Sequence, residues 1–322
     1  MIQYFTKIDN KLSLVEDDST QFVKNPIFWI NIESPTKEDL AEISHKFNIS
    51  RRFLESIFDD NEPSKTFGLK SEDSPTMMML SYPKYTVSPL GYLGYNTFPI
   101  AFIIVDQIVI TIANHPASCI QNFILHKTAL NQIISNPQLF LTHMLWFITH
   151  DFVLAMNDIS SQMEELEIQL TSATKNEQIY QIMAMQKTLI DFDSSLTQNE
   201  DVLTEFDKSD LLASSNEHIN KLNRSTLIEN KQALSMCHDR SKILDQYSNM
   251  VSAVVSNNLN DVMKILTSIT IILTIPTIIG GIYGMNVSLP GAQIASAFTW
   301  LMIIIIVICL VTRHVLKKHN YM

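Results

Sequence analysis

The sequence predicts a membrane protein in three parts: a mixed α/β domain, a long helical middle and two C-terminal membrane spans. Three observations carry that prediction. From Ile265 to Thr312 run 48 residues without an Asp, Glu, Lys or Arg, and two spans need roughly 40. Between Pro137 and Pro276 lie 138 residues with neither glycine nor proline, the two residues that most strongly interrupt regular structure. Before Pro137 the chain alternates short β-branched runs with turn residues, as a domain of strands and helices does.

Composition narrows the function classes. The formal charge of -10 argues against nucleic acid as a partner, because such proteins carry a basic face. Cys119, Cys237 and Cys309 are far apart and lack metal-ligand spacing, so they read as inert thiols of a reducing compartment. The opening Met1-Ile2-Gln3-Tyr4-Phe5 has no basic region leading into an apolar run, so no cleaved leader is expected.

Residues 1–136 form the α/β domain. Phe28 to Ile32 reads as a strand. Ser34-Pro35 supplies an N-cap and a proline at the first helical position, with Glu38 and Asp39 in the first turn. The helix is expected through Leu40, Ile43 and Phe47 to Asn48, and a second short one from Ser50 to Phe58. Met77 to Leu80, Pro99 to Val105 and Ile108 to Ile112 read as buried strands, with Asp106-Gln107 as the turn between the last two. No Gly-rich phosphate loop, Ser/His/Asp order or His/Cys run appears, so an enzyme is not expected. His115 reads as a loop residue. Asp59, Asp60, Glu62 and Asp73 cluster around a turn. They read as a solvated loop, with weak divalent-cation binding by carboxylates as the alternative.

Residues 137–216 read as a helical hairpin. His143 and His150 share a face with Phe147 and Leu154, which suits a core or interface position better than a metal site. A polar break at Thr171 to Thr174 marks the tip, Glu177 to Leu203 the return helix, and Ser209 to Asn216 a second break. The acidic residues Asp158, Glu164, Glu165 and Glu167 read as a solvated face, or as a means of concentrating cations near a pore mouth. From Glu217 a helix can run unbroken into the membrane, with residues 217–264 as its stalk. Leu222, Leu227, Ile228, Leu234, Ile243, Leu244, Val251, Val254 and Val255 give an apolar seam. A helix of about 100 Å is not stable alone in water and must pack on neighbours or copies.

The first span covers 265–286, just after Lys264, whose ammonium suits the interface. Steps of three and four residues draw one line through Asn260, Met263, Thr267, Thr270, Thr274, Thr277, Gly281 and Gly284, while the remaining positions are mostly Ile and Leu. Such a stripe serves either close helix packing or a water-facing pore wall. One chain has too few spans to enclose a pore, so both readings require an oligomer. Pro276 interrupts a helical hydrogen bond within the span. Residues 287–291 form the connecting loop, 292–312 the second span and 313–322 a basic tail. Lys264 and that tail put both termini in the cytosol and the loop outside.

Asn260, Met263-Lys264, Leu266-Thr267, Pro276-Thr277 and the run Gly281-Ile282-Tyr283-Gly284-Met285-Asn286 resemble the CorA family of magnesium transport proteins. Trp29 to Thr36 is similar to that family's early strand-to-helix segment. The resemblance implies a funnel-shaped homopentamer with an α/β/α cytosolic domain, in the inner (plasma) membrane among lipid, with the long helices lining the pore. It implies a selectivity filter at Gly284, Met285 and Asn286, with Tyr283 part of the same motif. Mg²⁺ sheds water reluctantly, so a ring of Asn286 carbonyl oxygens can hold its hydration shell. Asn260 would form a second polar ring, and Met263 and Leu266 an apolar constriction. Thr274 departs from the bulky apolar residue of some relatives, which shortens the expected gate. Val287 to Gln293 carries no acidic residue, so selection there is expected to rest on carbonyl oxygens. Regulatory metal sites in the family use acidic residues between subunits, for which Asp59, Asp60, Asp73, Glu229, Asp239 and Asp245 are the candidates here. Mg²⁺, transported and regulatory, is the ligand implied, with no cofactor. The function implied is Mg²⁺ influx down the membrane potential, with Co²⁺ and Ni²⁺ as further cargo, throttled by intracellular Mg²⁺. A Zn²⁺ transporter of the same superfamily and a membrane-anchored coiled-coil scaffold or sensor are the alternatives.

Overall fold

The computed structural model describes residues 1–8, 11–15, 27–69, 75–88, 91–125, 136–170, 176–213, 215, 217–285, 296–319 and 321. The expected hairpin tip, Asp73, Asn286 and the loop 287–291 lie outside the described residues. The chain divides into two compact units, Met1–Ser248 and Asn249–Met322.

The first unit is built on a seven-stranded sheet. Its strands are β1 (Ile2–Ile8), β2 (Lys11–Val15), β3 (Ile27–Glu33), β4 (Lys65–Phe67), β5 (Thr76–Val87), β6 (Leu93–Val105) and β7 (Ile108–Ala113), in the order β2-β1-β3-β7-β6-β5-β4. β3 and β7 run parallel and the other pairs antiparallel. The buried runs Trp29–Ile32, Met77–Leu80 and Ile100–Ile103 are near-continuous because helices cover both faces. On one face Ile30, Ile32, Met79, Ile103 and Ile110 pack with Leu40 and Ile43 of α1 (Lys37–Phe47) and Leu54 of α2 (Arg51–Glu55). On the other face Trp29 stacks on Phe5 at 4.4 Å and meets Phe123 of α3 (Ser118–Leu125) and Phe140 of α4 (Pro137–Leu170). The Trp29 indole donates to Thr111 Oγ1 at 3.0 Å, and Thr111 donates to Asn31 Oδ1, so the polar groups of that layer are paired. The unit is an α/β/α sandwich.

Several local expectations are corrected. Helix α1 begins after Thr36, not Ser34. Thr36 Oγ1 accepts from the Asp39 N–H while Asp39 accepts from the Thr36 N–H. This reciprocal cap satisfies two orphan donors, whereas Ser34 sits in a left-handed turn with φ 49°. β5 and β6 run on through Pro83 and Pro99 because each proline falls where a neighbouring strand has ended. β4 stops at Lys65 opposite Met79, and the β6–β7 pairing begins at Ile100. The short helix expected to reach Phe58 finishes as a 3₁₀ turn, Ser56–Phe58.

Asn136 caps α4 by accepting from the Gln138 N–H, with Pro137 at the first helical position. Polar contacts tie α5 (Asn176–Asp207) to the sheet. Thr188 Oγ1 accepts from the Tyr95 N–H and donates to its carbonyl, Ser195 bonds Thr97, and the Asn199 carboxamide bonds both backbone groups of Ser81. Gly94 lets that helix approach: a Cβ there would lie 3.1 Å from Thr188 Oγ1. One helical turn, α6 (Asp210–Ala213), occupies part of the expected second break.

α7 (Glu217–Tyr283) is the long unbroken helix, 67 residues with Pro276 inside. Up to Ser248 it packs between α4 and α5. Glu229, Arg240 and Tyr247 bond His150, Ser160 and Glu167 in ascending order, while Asn230, Cys237 and Asp245 meet Leu196, Leu189 and Gln186 in descending order. α7 is therefore parallel to α4 and antiparallel to α5. Its buried seam agrees with expectation at Leu244 and departs from it elsewhere: Ile219, Asn223, Thr226, Asn230, Ala233 and Cys237 are buried, while Ile228 is exposed. Small and amide side chains suit this seam because neighbouring helices leave little room and offer backbone partners.

Three described helices are long and apolar enough to cross a membrane: α4, α7 and α8 (Ala297–Lys318). The apolar window of α4 is 61% buried inside the fold, which makes it a core helix. Those of α7 and α8 are 6% and 0% buried and present Ile, Leu, Val and Trp outward, as a lipid-facing segment does. α8 carries the basic residues Arg313, His314, Lys317 and Lys318 as its last turns.

Candidate functional site: the open stripe of the first span

In the second unit α7 and α8 touch along one face of α7. Lys264, Ser268, Ile272, Ile275 and Ile279 are partly or wholly covered, at steps of three and four residues. Ser268 is fully buried and donates to the Tyr321 carbonyl at 2.8 Å. One turn further, Cys309 Sγ of α8 lies 3.8 Å from the Ile272 carbonyl oxygen.

The sequence-predicted stripe lies on the other side. Asn260, Met263, Thr267, Thr270, Thr274, Thr277, Gly281 and Gly284 are all exposed. At about 100° per residue their line is centred roughly 150° around the helix from the covered face. The Thr270, Thr274 and Thr277 hydroxyls donate to the Leu266, Thr270 and Leu273 carbonyls at 2.8, 2.7 and 2.9 Å. Each donor is thus used inside the helix, and each oxygen keeps lone pairs turned outward. The face is an acceptor-rich strip with no formal charge above Lys264, flanked by Ile and Leu. Met263 and Leu266 project at its lower end, 53% and 57% exposed. Lys264 reaches back to Asp261 at 3.2 Å. At the upper end the helix stops at Tyr283; the Gly284 N–H reaches Gly280 and the Met285 N–H reaches Ile282. Gly284 and Met285 are exposed there, while Asn286, the third residue of the expected filter, lies outside the described residues.

The regulatory candidates are dispersed over the first unit. Asp59 closes a local turn on the Asn61 N–H, Asp60 meets His115 Nε2 at 2.8 Å, and Glu62 pairs with Lys65. Glu229 pairs with His150, Asp239 with Lys242, and Asp245 accepts from Gln186. His115 lies in the loop after β7, as expected, with its ring against Asp60. Among the described residues no group of three His, Cys, Asp or Glu side chains is arranged to hold a metal. His150 stacks on Trp146 at 4.7 Å, and burial lowers the pKa of His143 to about 4, aided by the charge of His218. The Cys237 thiol is pushed up to about 12, chiefly by burial, which keeps it unreactive.

Sequence reasoning missed Ser268 and the partner of Cys309. The second had a legible signal: Pro276 has no N–H to give the carbonyl four residues earlier, at Ile272. A neighbouring donor was therefore to be sought there.

Residues 24–318 match the family model described as CorA-like Mg²⁺ transporter protein. The chain belongs to the CorA family. It is 26% identical over 317 residues to the cobalt/magnesium transport protein CorA of Methanocaldococcus jannaschii, covering 96% of both chains. The fold of the complete CorA magnesium transporter structure from that organism superposes with a TM-score of 0.81 at 21% identity, covering 100% of this chain and 99% of the other. The cytoplasmic domain of ZntB from Vibrio parahaemolyticus superposes with a TM-score of 0.59 at 11% identity, covering 79% of this chain and 98% of that one. CorA membership makes the chain a membrane transport protein, and α7 and α8 are its apolar C-terminal helices.

Proposed function

We propose that copies of this CorA chain assemble, as a pentamer, around their α7 helices and pass Mg²⁺ inward down the membrane potential, with Co²⁺ and Ni²⁺ as further cargo. One observation carries the reading: the polar stripe lies on the face of α7 turned away from α8. A helix whose partner in the chain covers the opposite face has its threonine oxygens left for copies and for water. A hydrated divalent cation needs acceptors at moderate field, and neutral hydroxyl and carbonyl oxygens bind its shell without trapping it. Asn286 completes the outer filter above Gly284 and Met285, Asn260 forms an inner polar ring, and Met263 with Leu266 closes the path by dewetting. The N-terminal unit and the basic end of α8 are cytosolic in a plasma membrane. Acidic groups of the first unit sense cytosolic Mg²⁺ across subunit boundaries.

The test is ion flux into liposomes holding the full-length protein. Mg²⁺ entry is expected, is abolished by Asn286→Ala, and slows when Mg²⁺ is present on the cytosolic side. Selective entry that survives Asn286→Ala overturns the assignment of the filter. Zn²⁺ entry without Mg²⁺ entry would make the chain a zinc transporter, and no flux of any ion would leave the anchored scaffold.

A further inference from the structure

Pro276 leaves the Ile272 carbonyl without its helical donor, and in hydrocarbon an unsatisfied carbonyl is costly. Transmembrane helices tolerate proline where a neighbouring group re-satisfies the freed oxygen. The Cys309 thiol of α8 lies 3.8 Å from that oxygen, within donor reach for sulfur. A thiol is a weak donor, yet it stands where α7 has lost its own donor. Ser268, one turn below Ile272 on the same face, is held by the Tyr321 carbonyl. Two contacts thus fix the rotation of α7 about its axis just below the proline. Thr274 and Thr277, on the opposite side, flank Pro276 in sequence.

We infer that Cys309 is a positioning residue for transport: its thiol caps the carbonyl orphaned by Pro276 and so holds the threonine stripe facing away from α8. This rests on the proposed role of α7 as the pore wall. The stated role makes Cys309 and Pro276 interdependent. Restoring the helical donor with Pro276→Ala supplies the Ile272 carbonyl from within α7, and Cys309 then has nothing to cap. A thiol that merely fills space would matter equally in both backgrounds.

The experiment is a double-mutant cycle on the full-length protein in liposomes, read as Mg²⁺ flux. Cys309→Ala is expected to slow flux about fivefold, the effect of one lost hydrogen bond, while Cys309→Ser retains a donor and restores most of the rate. In the Pro276→Ala background, Cys309→Ala should change nothing further. An equal loss from Cys309→Ala in both backgrounds overturns the inference, as does failure of the serine variant to rescue. A second readout does not depend on transport. The Cys309 S–H stretching band, isolated by subtracting the Cys309→Ala spectrum, should sit at a hydrogen-bonded frequency and move to the free frequency in Pro276→Ala. A band that stays put overturns the cap. If the wild-type chain passes no Mg²⁺ but the band behaves as described, the transport reading fails and the cap stands.

Discussion

Burial pushes the Asp151 carboxyl up to about 6, with the charge of His150 pulling slightly the other way. A carboxyl raised above its ordinary value of 3.8 stabilises the fold only while protonated. That contribution is complete below the ordinary value and is lost as the pH rises through about 6. Replacing Asp151 by Asn removes the buried charge, so Asp151→Asn should stabilise the protein at pH 8 by on the order of 1–3 kcal/mol and change little at pH 4. Thermal unfolding at the two pH values checks this, and an equal effect at both contradicts it. Asn199 makes an opposite kind of prediction. Its carboxamide serves the N–H and C=O of Ser81, opposite Pro99 and beyond the end of β4, where the sheet offers no partner on that side. Asn199→Ala should cost about 2–4 kcal/mol by leaving buried backbone groups unpaired, seen as a lowered melting temperature; unchanged melting would sink the argument. Neither residue was legible in the sequence, because a partner's location, over 100 positions away for Asn199, decides its role.

At the scale of elements, the long helix and both apolar C-terminal helices were legible because their signals are absences: no glycine or proline over 138 residues and no charge over 48. The stripe was legible too, since helical geometry fixes which positions share a face. The face it opposes was not, because that depends on where α8 lies. β1, β2 and β4 escaped notice for a related reason. Their mixed polar sequences gain strand structure only from the neighbours they pair with. The α7 seam shows the limit most clearly: the apolar pattern found Leu244 but also pointed to the exposed Ile228, while amide and small residues share the interface with Ile219 and Leu244. Gly281 tests the stripe at this scale. A Cβ placed there meets nothing within 4 Å among the described residues of the chain. Gly281→Ala should therefore leave protomer folding intact, or favour the helix by about 1 kcal/mol, yet slow transport if copies approach along the stripe. Unchanged flux would mean that they do not meet at Gly281.

At the scale of the molecule, the chain joins a sandwich domain with its own core to a two-helix unit that buries almost nothing by itself. The first unit can be stable from its own packing. The second leaves Met263, Leu266, Leu273 and Met285 exposed, apolar surface that the proposed assembly would cover with lipid and with copies. On the proposed reading the cargo passes along the threonine line of α7. Cysteine accessibility across that helix tests the claim most directly. Single cysteines at Thr270, Thr274 and Thr277 should react with a charged, water-soluble thiol reagent and lose Mg²⁺ flux, while cysteines at Ile269 and Ile275 stay unmodified and conducting, with the wild-type chain setting the background. Reaction at Ile269 or Ile275 with the threonine positions silent would contradict the account, because the water path would then lie on another face.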